Sequence, residues 1–193
     1  MSPRTGVAVP LPGETAPDPT KARILRRVQD LGSADENARV ATFAHMARLL
    51  FDVPQASMNF IEGDWLWCLG IEGPGTAVSI RRDDTICSTT IERSKDSSAP
   101  LALFVDDASA IPEFAELPSV NRDGGVRFYA GYPMYGSDGV AVGTFCIFDQ
   151  RRRTLGEAQR EAFIALARWV QRELGYHEGL LRAATLQRRL FPA

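Results

Sequence analysis

Hydrophobic residues along the chain follow two spacings, and each spacing predicts a different kind of element. Apolar residues recur every three or four positions over residues 21–31, where Gly32 ends the segment, and again after residue 39, until Pro54 prevents continuation. The apolar stripe of the second segment consists of Val40, Phe43, Ala44, Ala47, Leu50 and Phe51. We therefore expect a short first helix and a second helix that lies with this stripe on a sheet.

In the middle of the chain the spacing changes to an alternation of apolar and polar residues, which is typical of half-buried strands. The turn formers Glu62, Gly63 and Asp64 lie between two such segments and predict an antiparallel hairpin, and residues 136–139 predict another. The expected strands lie around residues 56–60, 65–69, 101–105, 126–135 and 140–148. These segments predict a sheet of five or six antiparallel strands.

Two segments between the strands carry weaker helical signals. Asp83 or Asp84 is expected to cap a brief helix that runs through Ile91. Residues 107–125 are expected to be irregular, with one helical turn at 112–117.

A long helix is predicted at the end of the chain. From Gly156 onward, apolar residues keep steps of three, four or seven for about thirty residues, which is longer than one face of a small domain needs. Gly175 and Gly179 each cost about 1 kcal/mol relative to alanine in a helix interior, which predicts a break or a flexible joint there. The order of elements indicates an α+β fold with helices on one face of the sheet.

Length, composition and charge limit the class of protein. The 193 residues allow one domain with extensions, and 45% hydrophobic with 24% charged residues exclude a wholly disordered or collagen-like chain. Residues 1–20 contain five prolines and are predicted to form a disordered tail. Lysine and arginine (22) nearly balance aspartate and glutamate (24), so the net charge of −2 provides no field that would attract nucleic acid or a membrane surface.

Cysteine usage and the lack of long apolar segments favour a cytoplasmic protein. Cys68, Cys87 and Cys146 are too few and too scattered for a disulfide framework, and no CxxC spacing indicates a structural metal. The first thirty residues lack the apolar stretch of a signal peptide, and no window reaches the roughly 18 apolar residues of a membrane span. We therefore expect no metal and no membrane partner.

Particular segments of the chain resemble the GAF family of small-molecule-sensing domains. They are LLFDVPQASMNFIEGD, WCLGI, DDTICSTTI, LFVDDAS, PEFAELPSV, VRFYAGYPM and GVAVGTFCIFD, and the match covers roughly residues 22–175. The resemblance implies a GAF domain over residues 21–175. It also implies a central antiparallel sheet of five or six strands, with the N- and C-terminal helices packed on one face and loops covering a pocket on the other.

A second resemblance lies at the C-terminal end. The segment ATLQRRLFP at 184–192 looks like the LQxxLLP segment that opens the SpoIIE-like class of metal-dependent serine/threonine phosphatases. The alternative is an amphipathic helix that ends at a proline. The resemblance implies that residues 176–193 are a helical linker to a phosphatase-like output domain, that the full-length protein is the enzyme, and that this segment is its bacterial regulatory part without catalysis of its own.

The GAF resemblance implies a ligand pocket between the sheet and the loops that cover it. Its walls would be Phe60, Trp65, Trp67, Cys87, Asp106, Phe114, Phe128 and Tyr129. Aromatic walls with a few polar groups suit a small planar or amphipathic ligand, whereas aromatic residues on strands also commonly fill a core. The sequence leaves both interpretations open.

Cys87 is the residue most suited to a chemical reaction. In the first turn of the predicted brief helix, unpaired backbone N–H groups favour a thiolate, and Arg81 and Arg82 add positive charge. GAF-like methionine sulfoxide reductases use cysteines for catalysis, and Cys87 falls near one such position, but residues 114–126 contain no cysteine for the exchange chemistry. Cys146, within a predicted strand, is expected to be an inert small hydrophobic residue.

Known ligands of related proteins are disfavoured by particular residues. Bilin-binding relatives attach the chromophore to a cysteine next to a histidine, whereas Ser88 follows Cys87 here. His45 and His177 lie on predicted helices, where a solvated side chain is commoner than a haem ligand. The signature of cyclic-nucleotide-binding GAF domains is not found, so the cofactor and the ligand stay unassigned.

The leading hypothesis is a regulatory domain that passes its ligand state through its terminal helices. Helices 21–31 and 157–190 are expected to pair in a parallel homodimer, because their apolar stripes exceed what one sheet covers. Arg127 is expected to meet an anionic ligand group or to pair with Asp106 or Asp107. The alternatives are a stand-alone thiol redox enzyme and a ligand-free dimerisation module.

Overall fold

The computed structural model of the chain describes residues 34–72, 79–95, 102–136 and 139–190. Its helices are α1 (Ala34–Phe51), α2 (Ile86–Lys95), α3 (Pro112–Ala115) and α4 (Glu157–Leu190). Its strands are β1 (Gln55–Glu62), β2 (Trp65–Glu72), β3 (Ser79–Arg81), β4 (Leu103–Val105), β5 (Phe128–Tyr135) and β6 (Ala141–Asp149). The predicted tail 1–20 and the predicted helix 21–31 lie outside the described residues.

The strands form one antiparallel sheet of six in the order β3-β2-β1-β6-β5-β4, which confirms the predicted α+β class. The chain turns between β1 and β2 in two residues, and Gly63 in this turn has a φ of +56°, a conformation that glycine adopts without steric cost. The central strands are β1 and β6, which are far apart in the sequence. Side chains from both are therefore brought together in the middle of the sheet.

Helices α1 and α4 cover one face of the sheet, which we call the helix face. Its core is apolar and includes Met58, Phe128, Phe145 and Ile147 from the strands. Phe163 of α4 packs into this layer, with ring centroids 5.8 Å from Phe51, 5.9 Å from Phe104 and 6.0 Å from Phe145. Close aromatic packing of this kind fixes α4 against the sheet.

Helix α1 buries only part of its predicted apolar stripe. Val40, Ala44, Ala47 and Phe51 lie in the core of the helix face. Leu50 is 63% exposed, so its assignment to the buried stripe is wrong. The reason is geometric, since at about 100° per residue Leu50 falls roughly a quarter-turn from the middle of the buried stripe.

The opposite face is covered by α2 and by the segment 106–127, and we call it the α2 face. Its hydrophobic residues include Leu66 and Val105 from the sheet, Ile86 from α2, and Phe114 and Val120 from the covering segment. The predicted brief helix is confirmed as α2, preceded by a 3-10 turn at Arg82–Asp84. The predicted helical turn within the irregular segment is confirmed as α3.

Helix α4 is continuous over 34 residues. Its first half is anchored by buried Phe163, Leu166 and Val170, and by Gln171, whose side chain donates to the Tyr135 carbonyl at 2.8 Å and accepts from the Tyr135 N–H at 2.7 Å. The helix runs through positions 175 and 179, so the predicted break there is wrong. A cost of about 1 kcal/mol per glycine does not stop a helix that is already anchored over several turns.

Candidate functional site

Polar side chains occupy the middle of the α2 face. Strand alternation directs Ser57 and Asn59 of β1, and Thr144 and Cys146 of β6, to this face, and the register pairs Ser57 with Cys146 and Asn59 with Thr144. All four are buried. Together with side chains from α2 and β5 they form a group that we call the Cys87 cluster, which consists of Ser57, Asn59, Cys87, Thr90, Tyr129, Thr144 and Cys146.

The carboxamide of Asn59 is the centre of the cluster. Its Nδ2 lies 3.3 Å from Thr144 Oγ1, 3.3 Å from Cys146 Sγ and 3.6 Å from Cys87 Sγ. Its Oδ1 accepts a hydrogen bond of 2.7 Å from Ser57 Oγ. One buried amide therefore joins the two sulfur atoms to the two central strands.

Cys87 reaches the cluster from the first turn of α2, as the sequence predicted. Its sulfur accepts a hydrogen bond of 3.5 Å from Tyr129 Oη. Tyr129 Oη in turn lies 3.0 Å from Thr90 Oγ1, one turn further along α2. Donors from β1 and β5 thus contact the Cys87 sulfur, and donors of this kind favour its ionised form.

Gly131 allows Tyr129 to lie along the strand. A Cβ atom at position 131 would stand 2.1 Å from Tyr129 Oη, a distance that no side chain tolerates. The missing side chain therefore leaves room for the phenol that hydrogen-bonds Cys87.

The two thiols of the cluster differ in their pKa values. The pKa of Cys87 is lowered to about 7, chiefly because the Cys146 thiol donates a hydrogen bond to its sulfur. Burial opposes this shift, and hydrogen bonds from Thr144, Tyr129 and Asn59 add to it. A substantial fraction of Cys87 is therefore thiolate near neutral pH, and the thiolate is the reactive form of cysteine.

The other two thiols of the α2 face and the Tyr129 hydroxyl keep their protons near neutral pH. The pKa of Cys146 is raised well above its ordinary value, because its hydrogen bond to Cys87 and its burial both favour the thiol. Burial, followed by the charge of Cys87, raises the pKa of Cys68 to about 12. Burial also raises the pKa of Tyr129, so this hydroxyl remains a donor.

Cys146 differs from the inert hydrophobic residue that the sequence suggested. It lies in a strand as predicted, but Ser57 Oγ is 3.6 Å from its sulfur and Asn59 Nδ2 is 3.3 Å away. The sequence analysis also missed Ser57, Asn59, Thr90 and Thr144. The one available signal was a pair of polar residues, 57 and 59, that alternate with the apolar residues 56, 58 and 60.

The sheet divides the eight residues that were expected to line one pocket. Phe128 and the half-buried Phe60 pack in the core of the helix face. Trp67 is the cross-strand neighbour of Phe60 and shares that face, as does Trp65, whose ring carries the Arg81 guanidinium at 5.6 Å. These four residues therefore cannot share a pocket with side chains of the α2 face.

The remaining expected residues also separate. Cys87, Phe114 and Tyr129 lie together in the α2 face. Asp106 accepts a hydrogen bond of 2.8 Å from Thr154 and lies 3.6 Å from the Arg160 guanidinium, which ties the end of β4 to the start of α4. The structure thus brings three of the eight residues together, and a role in ligand binding stays a prediction for each.

Other side chains singled out in the sequence have structural partners. Arg127 Nη1 donates to the carbonyls of Val120 at 3.0 Å and Val126 at 3.2 Å, rather than to Asp106 or Asp107. Arg82 pairs with Glu92 on α2. These arginines hold the loops around α2 in place.

A surface cleft of about 490 Å³ lies beside α2. Its lining is mostly polar and consists of Asp83, Thr85, Ser88, Thr89, Glu92, Arg93, Lys95, Glu113 and Leu117. Two ion pairs lie among its lining residues, Arg93 with Glu113 at 2.8 Å and Lys95 with Glu92 along α2 at 2.6 Å. This cleft contains none of the eight expected ligand residues, but it flanks the helix that carries Cys87.

Two features are absent from residues 34–72, 79–95, 102–136 and 139–190. No group of three or more histidine, cysteine, aspartate or glutamate side chains there is arranged to hold a metal ion. No helix in the same residues is both long and apolar enough to span a bilayer.

Known structures share the arrangement of sheet and helices. The sequence matches no protein-family model and no curated protein. The GAF domain of a phosphoenolpyruvate-protein phosphotransferase from Acinetobacter superposes with a TM-score of 0.59 at 12% identity, over 86% of this chain and 99% of that chain. The chain has the GAF fold. A putative GAF sensor protein from Burkholderia vietnamiensis is similar over 76% of this chain and 88% of its own, with a TM-score of 0.55 and 19% identity.

The GAF fold is shared with enzymes. A free methionine-R-sulfoxide reductase from Neisseria meningitidis, solved with its substrate, has a TM-score of 0.57 at 18% identity, over 82% of this chain and 91% of that chain. These identities establish a common fold and nothing further. The fold alone therefore does not decide between a sensor and an enzyme, and the expectation that this chain is not an enzyme stays a prediction.

Proposed function

We propose that this chain is a cytoplasmic sensory or regulatory GAF domain in signal transduction. The α2 face receives the signal, and helix α4 passes it to an attached output domain.

The Cys87 cluster carries this proposal. Burying polar side chains costs free energy unless every group finds a partner, and a well-packed apolar layer would stabilise the sheet at least as well. The helix face of the same strands is filled in that way. A hydrogen-bonded group with a thiol of lowered pKa is therefore better explained by function than by stability.

The cleft beside α2 supports a small polar ligand. Its volume of about 490 Å³ lies within the range of small-molecule sites. Thr85 and Ser88 in its lining are close neighbours of Cys87 in the sequence. A ligand in the cleft would contact the outer side of α2, whose inner side carries Cys87, so it would bias the position of this helix.

Helix α4 is the proposed route of the signal. Its 34 residues span about 50 Å, whereas the nine residues of β6 span about 30 Å. The helix is thus longer than the sheet that anchors its first half. A shift of the sheet or of α1 would be carried along α4 as a rigid rotation or translation.

The proposed output is a SpoIIE-like serine/threonine phosphatase. This part of the proposal rests on the segment ATLQRRLFP and on the continuous helix that leads to it. Residues 176–193 would then act as the linker between the GAF domain and the phosphatase.

A homodimer is part of the same proposal; of the two helices predicted to pair, 21–31 lies outside the described residues, and α4 is joined here by α1. Leu50 is 63% exposed on α1, and Trp169 is 49% exposed on α4. The Trp169 ring contacts Phe43 of α1 with centroids 5.2 Å apart, and Leu50 lies two helical turns from Phe43. The two helices thus present apolar groups on one side of the domain, where a second copy would cover them.

The rotation of α4 provides the test. In the protein encoded by the complete reading frame, two residues are inserted after position 178, and in a matched control seven residues are inserted there. Two residues rotate the following segment by about 200°, whereas seven add almost two full turns. The Mn²⁺-dependent dephosphorylation of a phosphoserine peptide should change by at least about threefold, roughly 0.6 kcal/mol, with two residues and recover with seven.

Two results would remove the proposal. Equal rates in all three proteins would show that α4 does not transmit a signal. A complete reading frame whose product does not dephosphorylate the peptide would remove the phosphatase as output.

A thiol redox enzyme is the second candidate, favoured by the lowered pKa of Cys87. The experiment incubates the chain with free methionine-R-sulfoxide and a dithiol reductant and measures methionine. Turnover that Cys87→Ser abolishes and Cys68→Ser retains would support the enzyme. Absence of turnover in the unmodified chain would exclude this substrate.

A further inference from the structure

Two of the three cysteines in the chain meet inside the Cys87 cluster. Cys87 belongs to α2 and Cys146 to β6, so they come from two different layers of the α2 face. The same Asn59 amide nitrogen lies 3.6 Å from one sulfur and 3.3 Å from the other. The two thiols are therefore neighbours. Apolar side chains would fill the same space equally well if packing were the only requirement.

We propose that Cys87 and Cys146 form a dithiol site that hydroperoxides oxidise to an intramolecular disulfide. The signal received by the α2 face would then be a hydroperoxide. This link between the dithiol site and signalling rests on the proposed function. Its chemistry belongs to the isolated chain and needs no output domain.

The first step is attack of the Cys87 thiolate on a hydroperoxide, ROOH. A sulfur–oxygen bond forms to the terminal peroxide oxygen and the oxygen–oxygen bond breaks. The alkoxide takes up a proton from solvent and leaves as ROH, or as water when the peroxide is hydrogen peroxide. Cys87 is then a sulfenic acid, oxidised by two electrons.

The second step is attack of the Cys146 sulfur on the Cys87 sulfur. A sulfur–sulfur bond forms, the sulfur–oxygen bond breaks, and the hydroxide leaves as water with the proton of the Cys146 thiol. Overall, two thiols and ROOH give one disulfide, ROH and water. The bond would tie α2 to the central strand β6 and fix this helix on the sheet.

The cluster assigns different roles to the two sulfurs. Hydrogen bonds from Tyr129 and Asn59 stabilise a thiolate at Cys87, which makes it the attacking group. Cys146 keeps its proton and makes its hydrogen bond to Cys87, so it is placed to supply both the second sulfur and the proton.

Cys68 serves as an internal control. It lies on β2 as the cross-strand neighbour of Asn59, and it is buried. In the described part of the chain, no hydrogen bond joins its side chain to the cluster. Cys68 is therefore a third buried thiol that lacks the hydrogen bonds of the proposed pair.

The test counts free thiols after oxidation of the 193-residue chain. The reduced protein is treated with stoichiometric hydrogen peroxide, denatured in N-ethylmaleimide and weighed by mass spectrometry. The number of adducts should fall from three to one in the unmodified chain and from two to zero in Cys68→Ser, because one disulfide removes two thiols. Peptide mapping should place the bond between Cys87 and Cys146.

A variant of the second sulfur checks the mechanism. In Cys146→Ser the bond cannot form, and the Cys87 sulfenic acid should be trapped by dimedone instead. Near-ultraviolet circular dichroism confirms that each variant is folded before treatment.

The inference is overturned if the unmodified chain keeps three adducts after treatment. It is equally overturned if the mapped bond includes Cys68 or joins two chains. Formation of the expected disulfide in a full-length protein whose output does not respond would keep the inference and remove the proposed function.

Discussion

The helix face and the α2 face are built on the same strands but bury different chemistry. On the helix face, β1 contributes Ala56 and Met58 and β6 contributes Phe145 and Ile147. One residue along, the same strands direct Ser57, Asn59, Thr144 and Cys146 to the α2 face. Because successive side chains of a strand point to opposite faces, the sequence specifies each layer independently.

The comparison separates stability from function. Apolar packing on the helix face holds α1 and α4 on the sheet. Its loss would lower the free energy of unfolding. The Cys87 cluster contributes less apolar burial, and its hydrogen bonds set the ionisation of one thiol. Substitutions on the helix face should therefore change mainly the stability, whereas substitutions on the α2 face should change mainly the ionisation of Cys87.

Phe163→Ala should have the largest effect on stability. The ring is fully buried and contacts three other phenylalanine rings, so its removal should cost about 3–5 kcal/mol in urea unfolding. Glu161→Ala, an exposed position on the same helix, should change stability by less than about 0.5 kcal/mol. A loss below about 1 kcal/mol for Phe163→Ala would show that the helix face is not the stabilising layer.

Asn59→Ala should destabilise the protein less than Phe163→Ala does, and it should change the pKa of Cys87 more. Removal of the amide takes one hydrogen bond from each of Ser57 and Thr144, which should cost about 1–3 kcal/mol. The pKa of Cys87 should rise, because one of its donors is lost. Met58→Leu, the neighbouring residue on the helix face, is the control and should leave the thiol unchanged; an equal effect of both would contradict the division between faces.

Gly131→Ala should disturb the cluster by displacing Tyr129. The new methyl group would overlap Tyr129 Oη, so the ring must move away from Cys87, at a cost of about 1–3 kcal/mol. Tyr129→Phe removes only the hydroxyl and should cost about 1 kcal/mol. Both should raise the pKa of Cys87 in a thiolate titration, and an unchanged titration in Gly131→Ala would show that Tyr129 does not act on the thiol.

Leu50→Gln should have the smallest effect on the monomer. Leu50 is 63% exposed, so its replacement should change stability by less than about 0.5 kcal/mol. Ala47→Gln, one turn earlier and fully buried, should cost more than about 2 kcal/mol because a polar side chain is forced into the core. Light scattering should also show weaker self-association for Leu50→Gln, and an unchanged mass would argue against this dimer surface.

The strands and helices could be predicted from the sequence because each depends on local spacing. Alternation around Met58 located β1, and the position of Asp84 before Ile86 located α2 and the first-turn placement of Cys87. The long helix α4 was predicted from its periodicity, but its continuity through Gly179 was not. A glycine penalty is local, whereas the anchoring of the helix depends on distant parts of the fold.

The site was less predictable, because it depends on which face each strand residue occupies. Phe60 and Cys87 are plausible pocket neighbours in the sequence, yet the sheet lies between them. The contact of Cys146 with Asn59 depends on the pairing of the first and last long strands, which no local pattern encodes. From the sequence alone, a single amide residue among apolar neighbours is expected to face solvent.

The lowered pKa of Cys87 also links the α2 face to stability. The folded protein loses this proton near pH 7, whereas the unfolded chain loses it near the ordinary value of 9.0. Between these values the unfolded chain holds more protons, so the free energy of unfolding should rise with pH by about 1–3 kcal/mol. Above pH 9 the raised pKa values of Cys68 and Cys146 oppose the trend.

The titration of the Cys87 thiolate tests the central claim most directly. Thiolate absorbance in the ultraviolet is followed against pH for the unmodified chain and for Cys87→Ser, and the difference reports Cys87 without requiring a reagent to reach the buried sulfur. We expect a midpoint of about 7, and a higher midpoint in Cys146→Ala. A midpoint at or above 9.0 would contradict the account, since the polar cluster would then not activate its thiol.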